Sequence, residues 1–327
     1  GSSHQGSRHT QWRERARMGP LPQVRVNNVN LESTAPGPLG DLLKEGAGDP
    51  KLDEALDAEE ENRADCQDEG DPRGEAVALL NIARIRLQQK LTDKALAAAR
   101  EAKNLFREAD DKVGESWALE FIAEVWASVS AYEKAVAAAD RARQQMKRIG
   151  DEIGEARMLF LLAQNRILPL TRRSSAEEVN KATKAANELL EFCRNLNDPK
   201  ALGSALCTVS QMHMHKEKHK DALEAVEEAL PLFTAEGDQL NKASALLMAA
   251  RIHFVMENLK KSLETVQESL QLFRACDDEQ GEKACIELLS KLREFEFRVD
   301  SVAAPLTQVV GQKVRCGALE WAGSRTQ

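Results

Sequence analysis

DPRGEAVALLNIARIRLQQKLTDKALAAAREAKNLFREAD (residues 71–110) and DKVGESWALEFIAEVWASVSAYEKAVAAADRARQQMKRIG (111–150) stand end to end, forty residues each. Ala83, Ala95-Leu96, Ala99 and Ala102 of the first return forty positions later as Ala123, Ala135-Val136, Ala139 and Ala142. Self-similarity at a fixed period of this length marks a stacked repeat, in which each unit buries its apolar face against its neighbours. Within the first unit, apolar residues keep helical spacing from Gly74 to Gln88 and again from Asp93 to Ala109. The turn between them is short, so the two helices form an antiparallel hairpin.

Carried outward, the forty-residue ruler meets Asp71, Asp111, Asp151, Asp198, Asp238 and Asp278. Four of the five intervals are forty residues and the third is forty-seven. Aspartate is a good N-cap, because its carboxylate accepts from the free amides of the first turn; Pro72 and Pro199 sit where a missing N–H costs nothing. Small residues recur in the first helix at Ala83, Ala123, Ala163, Ser210 and Ala250, and in the second at Ala95, Ala135, Ala182, Ala222 and Ser262. They let the two backbones approach. The seven extra residues of the third unit fall around Ile167 to Ser175; Pro169 stops its first helix, and Ser175-Ala-Glu-Glu178 is a capping box that starts its second. Arg172-Arg173-Ser174-Ser175 also has the form of a basophilic kinase site, which makes Ser174 and Ser175 candidates for phosphorylation beside the capping role.

The ends differ from this body. Residues 1–38 are rich in Gly, Ser, Pro, Gln and Asn without periodicity and read as disordered. Their arginines, Arg8, Arg13, Arg15, Arg17 and Arg25, faintly resemble an organelle transit peptide. The chain starts with Gly, which leaves a fragment, a processed form or a natural start at Met18 open. Residues 39–70 are acidic; forty-residue subtraction aligns Ala55-Leu56 with Ala95-Leu96, so Lys51 to Ala64 reads as a polar capping helix from a decayed repeat. Residues 71–297 are the repeat body, with a terminal helix at 279–297, and 298–327 reads as a mostly irregular tail.

Charge and composition narrow the chemistry. Residues 1–40 carry five basic and two acidic side chains, and 41–71 carry three basic and thirteen acidic. The whole chain is at −8, so the body is near neutral, without the basic face a nucleic-acid binder needs. No run of eighteen apolar residues offers a membrane span. The six cysteines, Cys66, Cys193, Cys207, Cys276, Cys285 and Cys316, follow no CxxC or disulfide framework, which favours reduced thiols in the cytoplasm or nucleus. No phosphate loop, nucleophile elbow or HExxH is present, so neither catalysis nor a cofactor is expected. The best metal candidate is Met212-His213-Met214-His215 with His219, but a turn is expected between His215 and His219, and a third ligand is missing.

Leu79, Ile82, Ala83 and Ala95, and again Leu119, Ile122, Ala123 and Ala135, resemble the pattern of the tetratricopeptide repeats. The resemblance covers five units, 71–277, and a sixth first helix from Glu279 to about Phe297. Forty-residue units joined by Gly150-Asp-Glu-Ile-Gly-Glu-Ala156 look like the longer repeats of MalT-like regions. Late in the first helix, where the family places an aromatic, this chain has Arg86, Trp126, Arg166, His213 and His253. The resemblance implies an all-α fold, an α-solenoid wound as a right-handed superhelix of about five hairpins plus capping helices. It also implies a concave face lined by first helices, including Leu80, Arg84, Trp117, Glu124, Arg157, Gln164, Gln211 and Arg251. The expected role is a non-catalytic cytoplasmic scaffold that binds a partner peptide or helix there; the alternative is a ligand-sensing, MalT-like part of a larger signalling protein.

Overall fold

The computed structural model of the chain describes residues 50–171 and 173–298. The expectations for 1–38, 39–49, Arg172 and 299–327 lie outside the described residues. Within them the chain forms twelve helices and no strand. In order these are α1 (Pro50–Glu69), α2 (Pro72–Gln88), α3 (Thr92–Glu108), α4 (Lys112–Ser128), α5 (Tyr132–Ile149), α6 (Glu152–Ile167), α7 (Ala176–Asn195), α8 (Pro199–His215), α9 (His219–Ala235), α10 (Gln239–Val255), α11 (Leu259–Ala275) and α12 (Glu279–Arg298). Each packs on the next, giving an all-α solenoid of five hairpins, α2/α3 to α10/α11, flanked by α1 and α12.

A finer rhythm lies inside the forty-residue repeat. Gly70, Lys90, Asp110, Ser130 and Gly150 all have positive φ, at twenty-residue intervals, and so do Asn197, Glu217, Gly237, Glu257 and Asp277 after the insertion. In nine of these ten turns the N–H that follows the residue closes the helix onto a carbonyl five residues back, as in Leu91 N–H to Arg86 O and Asp111 N–H to Phe106 O, both 2.8 Å. This is a Schellman-type ending, which satisfies carbonyls that the helix itself leaves free. A left-handed non-glycine residue costs about 1–2 kcal/mol, yet seven of these turns accept one. The closing bonds and the packing of both flanking helices hold them there.

The helix starts are asymmetric. Every first helix of the five hairpins and α12 is capped by its aspartate: Asp111 and Asp151 accept from Gly114 and Gly154 N–H at 3.0 and 2.8 Å, and Asp278 accepts from Gln280 N–H at 3.0 Å. Second helices begin at Leu91, Ala131, Lys218 and Asn258 without a side-chain cap, since the tight turn already directs the chain. The third unit is the exception. Its insertion replaces the tight turn, and α7 starts on a full capping box: Ser175 Oγ accepts from Glu178 N–H at 3.2 Å, and Ser175 N–H donates to Glu178 Oε2 at 2.7 Å. Beneath the insertion Ile167 and Leu170 are buried with Ala182, Ala186, Val209 and Met212.

Two devices set the helix spacing. Ala83, Ala95, Ala123, Ala135, Ala163, Ala182, Ser210, Ala222, Ala250 and Ser262 are all fully buried, so each hairpin closes on its smallest side chains. In the last two hairpins the serine adds a bond: Ser210 Oγ donates to Ala222 O, and Ser262 Oγ donates to Ala250 O, each at 2.7 Å. Between units, a buried side chain near the end of a second helix lies against a glycine of the following first helix. A Cβ on Gly114 would fall on the Phe106 ring, on Gly281 on the Phe273 ring, and on Gly154 2.7 Å from Met146 Sδ. The glycine leaves room for a ring whose burial is worth about 1.5–3 kcal/mol. Phe233 differs, because its space is left by Gly203 of its own unit.

α1 packs on α2 as a second helix packs on the first helix that follows it. Arg63 Nε pairs with Glu75 at 3.1 Å as Arg143 Nε pairs with Glu155 at 3.2 Å, eighty residues later. Its end closes like the others, with Asp71 N–H on Cys66 O at 2.8 Å. It runs to Glu69, beyond the Ala64 expected from spacing, and shields the first unit through Leu52, which is buried against Ile85 with Ala55 and Leu56. Its outward side is acidic.

Candidate functional site

The first helices make the inner wall. α2, α4, α6, α8 and α10 each touch the next first helix in line, up to α12, as well as their hairpin partners, while successive second helices make no comparable contact among the described residues. A stack whose first helices are the closer set curves toward them. On a helix, positions i, i+3 and i+7 share one face. The corresponding triplets along this wall are Val77, Leu80, Arg84; Trp117, Glu120, Glu124; Arg157, Phe160, Gln164; Ser204, Cys207, Gln211; and Ser244, Leu247, Arg251.

Their surroundings differ. Arg157 is 8% exposed and donates through Nε and Nη2 to the two carboxylate oxygens of Glu120, at 2.7 and 2.9 Å. This fork-on-fork pair joins α4 to α6 and leaves Arg157 Nη1 buried without a partner. Glu124, one turn beyond Glu120, keeps its side chain exposed and makes no hydrogen bond or ion pair among the described residues. It is open to the groove yet walled by protein, and lost solvation with the nearby Glu120 charge pushes its carboxyl up to about 7, against Arg84 and Arg157. Arg84, in the same register on α2, is half-buried and has no ion-pair partner among the described residues.

Other wall positions are committed to packing. Leu80 is 4% exposed and belongs to the core of the first two units. Trp117 is half-buried, edge-to-face with Phe106 at 6.5 Å between ring centroids, and its Nε1 is buried without a partner. Gln164 donates to Thr208 Oγ1 at 3.3 Å, and that hydroxyl donates to Ser204 O at 2.9 Å, tying the third unit to the fourth. Gln211 is half-buried with a partner of its own. Arg251 is 8% exposed, also partnered, and burial pulls its pKa down to about 10 against Cys285 and Glu287. The structure therefore brings Arg84, Trp117, Glu124 and Arg157 together around the first three units and sets Gln211 and Arg251 apart. Glu120 was missing from the sequence reading, although it stands forty residues after Leu80 and the ruler points to it.

Elsewhere the chemistry is structural. α8 ends at His215 and α9 begins at His219, so a turn separates them. His213 Nδ1 lies 3.9 Å from Asp221, and no group of three metal-ligating side chains occurs among the described residues. Cys66, Cys193, Cys207, Cys276 and Cys285 are free thiols; burial pushes Cys193 and Cys207 up to about 12. Ser174 Oγ accepts from Thr171 N–H at 3.0 Å within the insertion. A cleft of about 680 Å³ between α1 and α3 lies away from the inner wall. Four of the five charged side chains lining it pair with one another, Arg63 with Glu101 at 2.5 Å and Arg86 with Glu60 at 2.9 Å. No described helix is long and apolar enough to cross a membrane.

No family model matches the sequence, and no curated protein matches it. Solved structures do. BtubC (BKLC) from P. vanneervenii superposes with a TM-score of 0.58 at 15% identity, over 70% of this chain and 94% of that one. A signal transduction ATPase with numerous domains and a tetratricopeptide repeat sensor, from Pyrococcus horikoshii, gives 0.53 at 17% identity; the match covers 70% of this chain and 36% of that protein. The apo quorum sensor NprR from B. thuringiensis gives 0.56 at 15%, over 80% and 74% of the two chains, and NprR in complex with its cognate peptide NprX gives 0.50 at 14%. At these identities the likeness is one of fold, and that fold is the tetratricopeptide-type α-solenoid.

Proposed function

We propose that the chain is a non-catalytic interaction scaffold that holds a partner peptide or helix against the inner wall formed by its first helices. The observation that carries this reading is the wall over the first three units. There an exposed carboxylate, Glu124, and a half-buried guanidinium, Arg84, stand in the same register on successive first helices, neither ion-paired among the described residues. Stacked hairpins preform such a surface, so the scaffold loses little conformational freedom on binding. The peptide complex of NprR supports the reading by analogy of fold. Free, largely buried thiols support a reducing compartment, and we place the protein in the cytoplasm.

A photo-crosslinking amino acid placed at Arg84 or Glu124, and separately at the outward Glu101, tests it with randomised dodecapeptides as the probe. Crosslinks at the two inner positions and not at Glu101 are expected; equal labelling at Glu101 would move the site off the inner wall. A second reading, a sensor region of a larger signalling protein, draws on the unbroken contact between successive first helices, through which a bound ligand would alter curvature. A peptide-dependent change in the radius of gyration, measured by small-angle scattering, would favour the sensor over the plain scaffold.

A further inference from the structure

Arg84 and Glu124 occupy the same place on successive first helices, α2 and α4. They lie close enough for the Arg84 charge to act on Glu124, yet they do not meet as an ion pair. The other carboxylate on this face, Glu120, is saturated by the bidentate bond from Arg157, which fixes Glu120 and leaves Glu124 as the acceptor open to the groove. Trp117 lies two turns before Glu124 on the same face and is half-buried. An exposed carboxylate without an ion-pair partner suits the charged head of a lysine or arginine. The lone guanidinium one unit away suits a carboxylate. Packed helix axes lie about 8–10 Å apart and an extended chain advances about 3.3 Å per residue, so the two contacts are separated by about three residues of a bound strand.

We infer that the partner is an extended segment carrying an acidic and a basic side chain about three residues apart, the acid on Arg84 and the base on Glu124. This rests on the inner-wall reading above and adds its charge code. The charged groups that act on Glu124 are Glu120 of its own helix, Arg84 of α2 and Arg157 of α6. A cation needs Glu124 ionised, so a proton competes with the partner, and affinity falls as the pH drops through about 7.

Fluorescein-labelled, end-blocked dodecapeptides test the code by anisotropy. One set carries a fixed Glu and Lys three residues apart, in both orders; two others carry Glu–Glu and Lys–Lys, and the remaining positions are randomised among Ala, Ser, Gly, Leu and Val. The native chain is expected to prefer the mixed pair by about three- to tenfold, roughly the discrimination that one or two partly exposed ion pairs provide. Arg84→Glu should shift the preference to Lys–Lys, and Glu124→Arg to Glu–Glu, whichever direction the strand runs. Mixed-pair binding should weaken from pH 8 to pH 6 in the native chain and lose that dependence in Glu124→Gln. Peptides that bind without preference among the sets, or preferences that ignore both reversals, overturn the charge code and leave the inner-wall reading standing. Absence of binding by any set overturns both.

Discussion

The inner wall of the first three units and that of the last two are built on one backbone plan and carry different chemistry. Where unit two presents Glu120 and Glu124, unit four presents Cys207 and Gln211, and unit five presents Leu247 and Arg251. Cys207 and Leu247 are buried at 2% and 0% exposure, and Ser204 and Ser244 at 1% and 2%. The C-terminal wall is closed by small and apolar side chains, while the N-terminal wall is held across α4 and α6 by an ion pair. One architecture thus separates a structural half from a half whose charges are available.

The sharpest way to break this contrast is Glu120→Leu, which gives unit two the residue found in unit five. It strands Arg157, already 8% exposed, without its one ion-pair partner among the described residues, and removing one partner of a buried pair costs about 3–5 kcal/mol. Urea unfolding should show a loss of that size, and Glu120→Leu with Arg157→Met should recover most of it, since an apolar replacement of both partners is close to neutral. If the double variant is no better than the single one, the pair is not what holds α4 to α6.

The glycine joints rank next. Gly114→Ala places a methyl on the buried Phe106 ring, an overpacking worth about 1–3 kcal/mol, against about 1 kcal/mol gained by replacing a helical glycine. Gly74→Ala meets only the Asp71 carboxylate and Cys66 Sγ, at 2.5 and 2.7 Å, both ends of movable side chains. Denaturation midpoints should fall for the first and stay nearly level for the second; equal midpoints would mean that Phe106 yields easily. Smaller again is Ser262→Ala, which makes the fifth hairpin resemble the second and removes one buried hydrogen bond, for about 1 kcal/mol. Amide exchange confined to α10 and α11 should speed up if the latch is local.

Much of the architecture was legible because it repeats. Asp71, Asp111 and Asp151 are caps in the sequence and in the structure, and the alanine pairs close the hairpins as their spacing required. The twenty-residue half-period escaped notice because Lys90, Ser130, Glu217 and Glu257 carry no glycine to announce a left-handed turn; the tertiary packing imposes it. The candidate site was less legible. The concave-face positions were an expectation carried over from the family resemblance, and nothing in the sequence distinguishes Arg157 from Arg251. What separates them is a carboxylate thirty-seven residues away in one case and burial beside Cys285 in the other.

The last expected effect concerns Glu124 itself. Its folded pKa, about 7, lies above that of an ordinary glutamate, so the folded state holds a proton that the unfolded chain has released. Stability from this group is therefore full below the unfolded value and declines as the pH rises toward about 7. Burial lowers His213, His215 and His253, and those groups work in the opposite direction, losing stability as the pH falls. The native chain alone would show the two trends superimposed. The difference between the native chain and Glu124→Gln cancels the histidines: the variant should gain melting temperature relative to the native chain between pH 5 and pH 7, and the gain should level off above that. A difference that does not change with pH would mean that the groove keeps Glu124 fully solvated, and the wall of the first three units would then be as open as the outer surface.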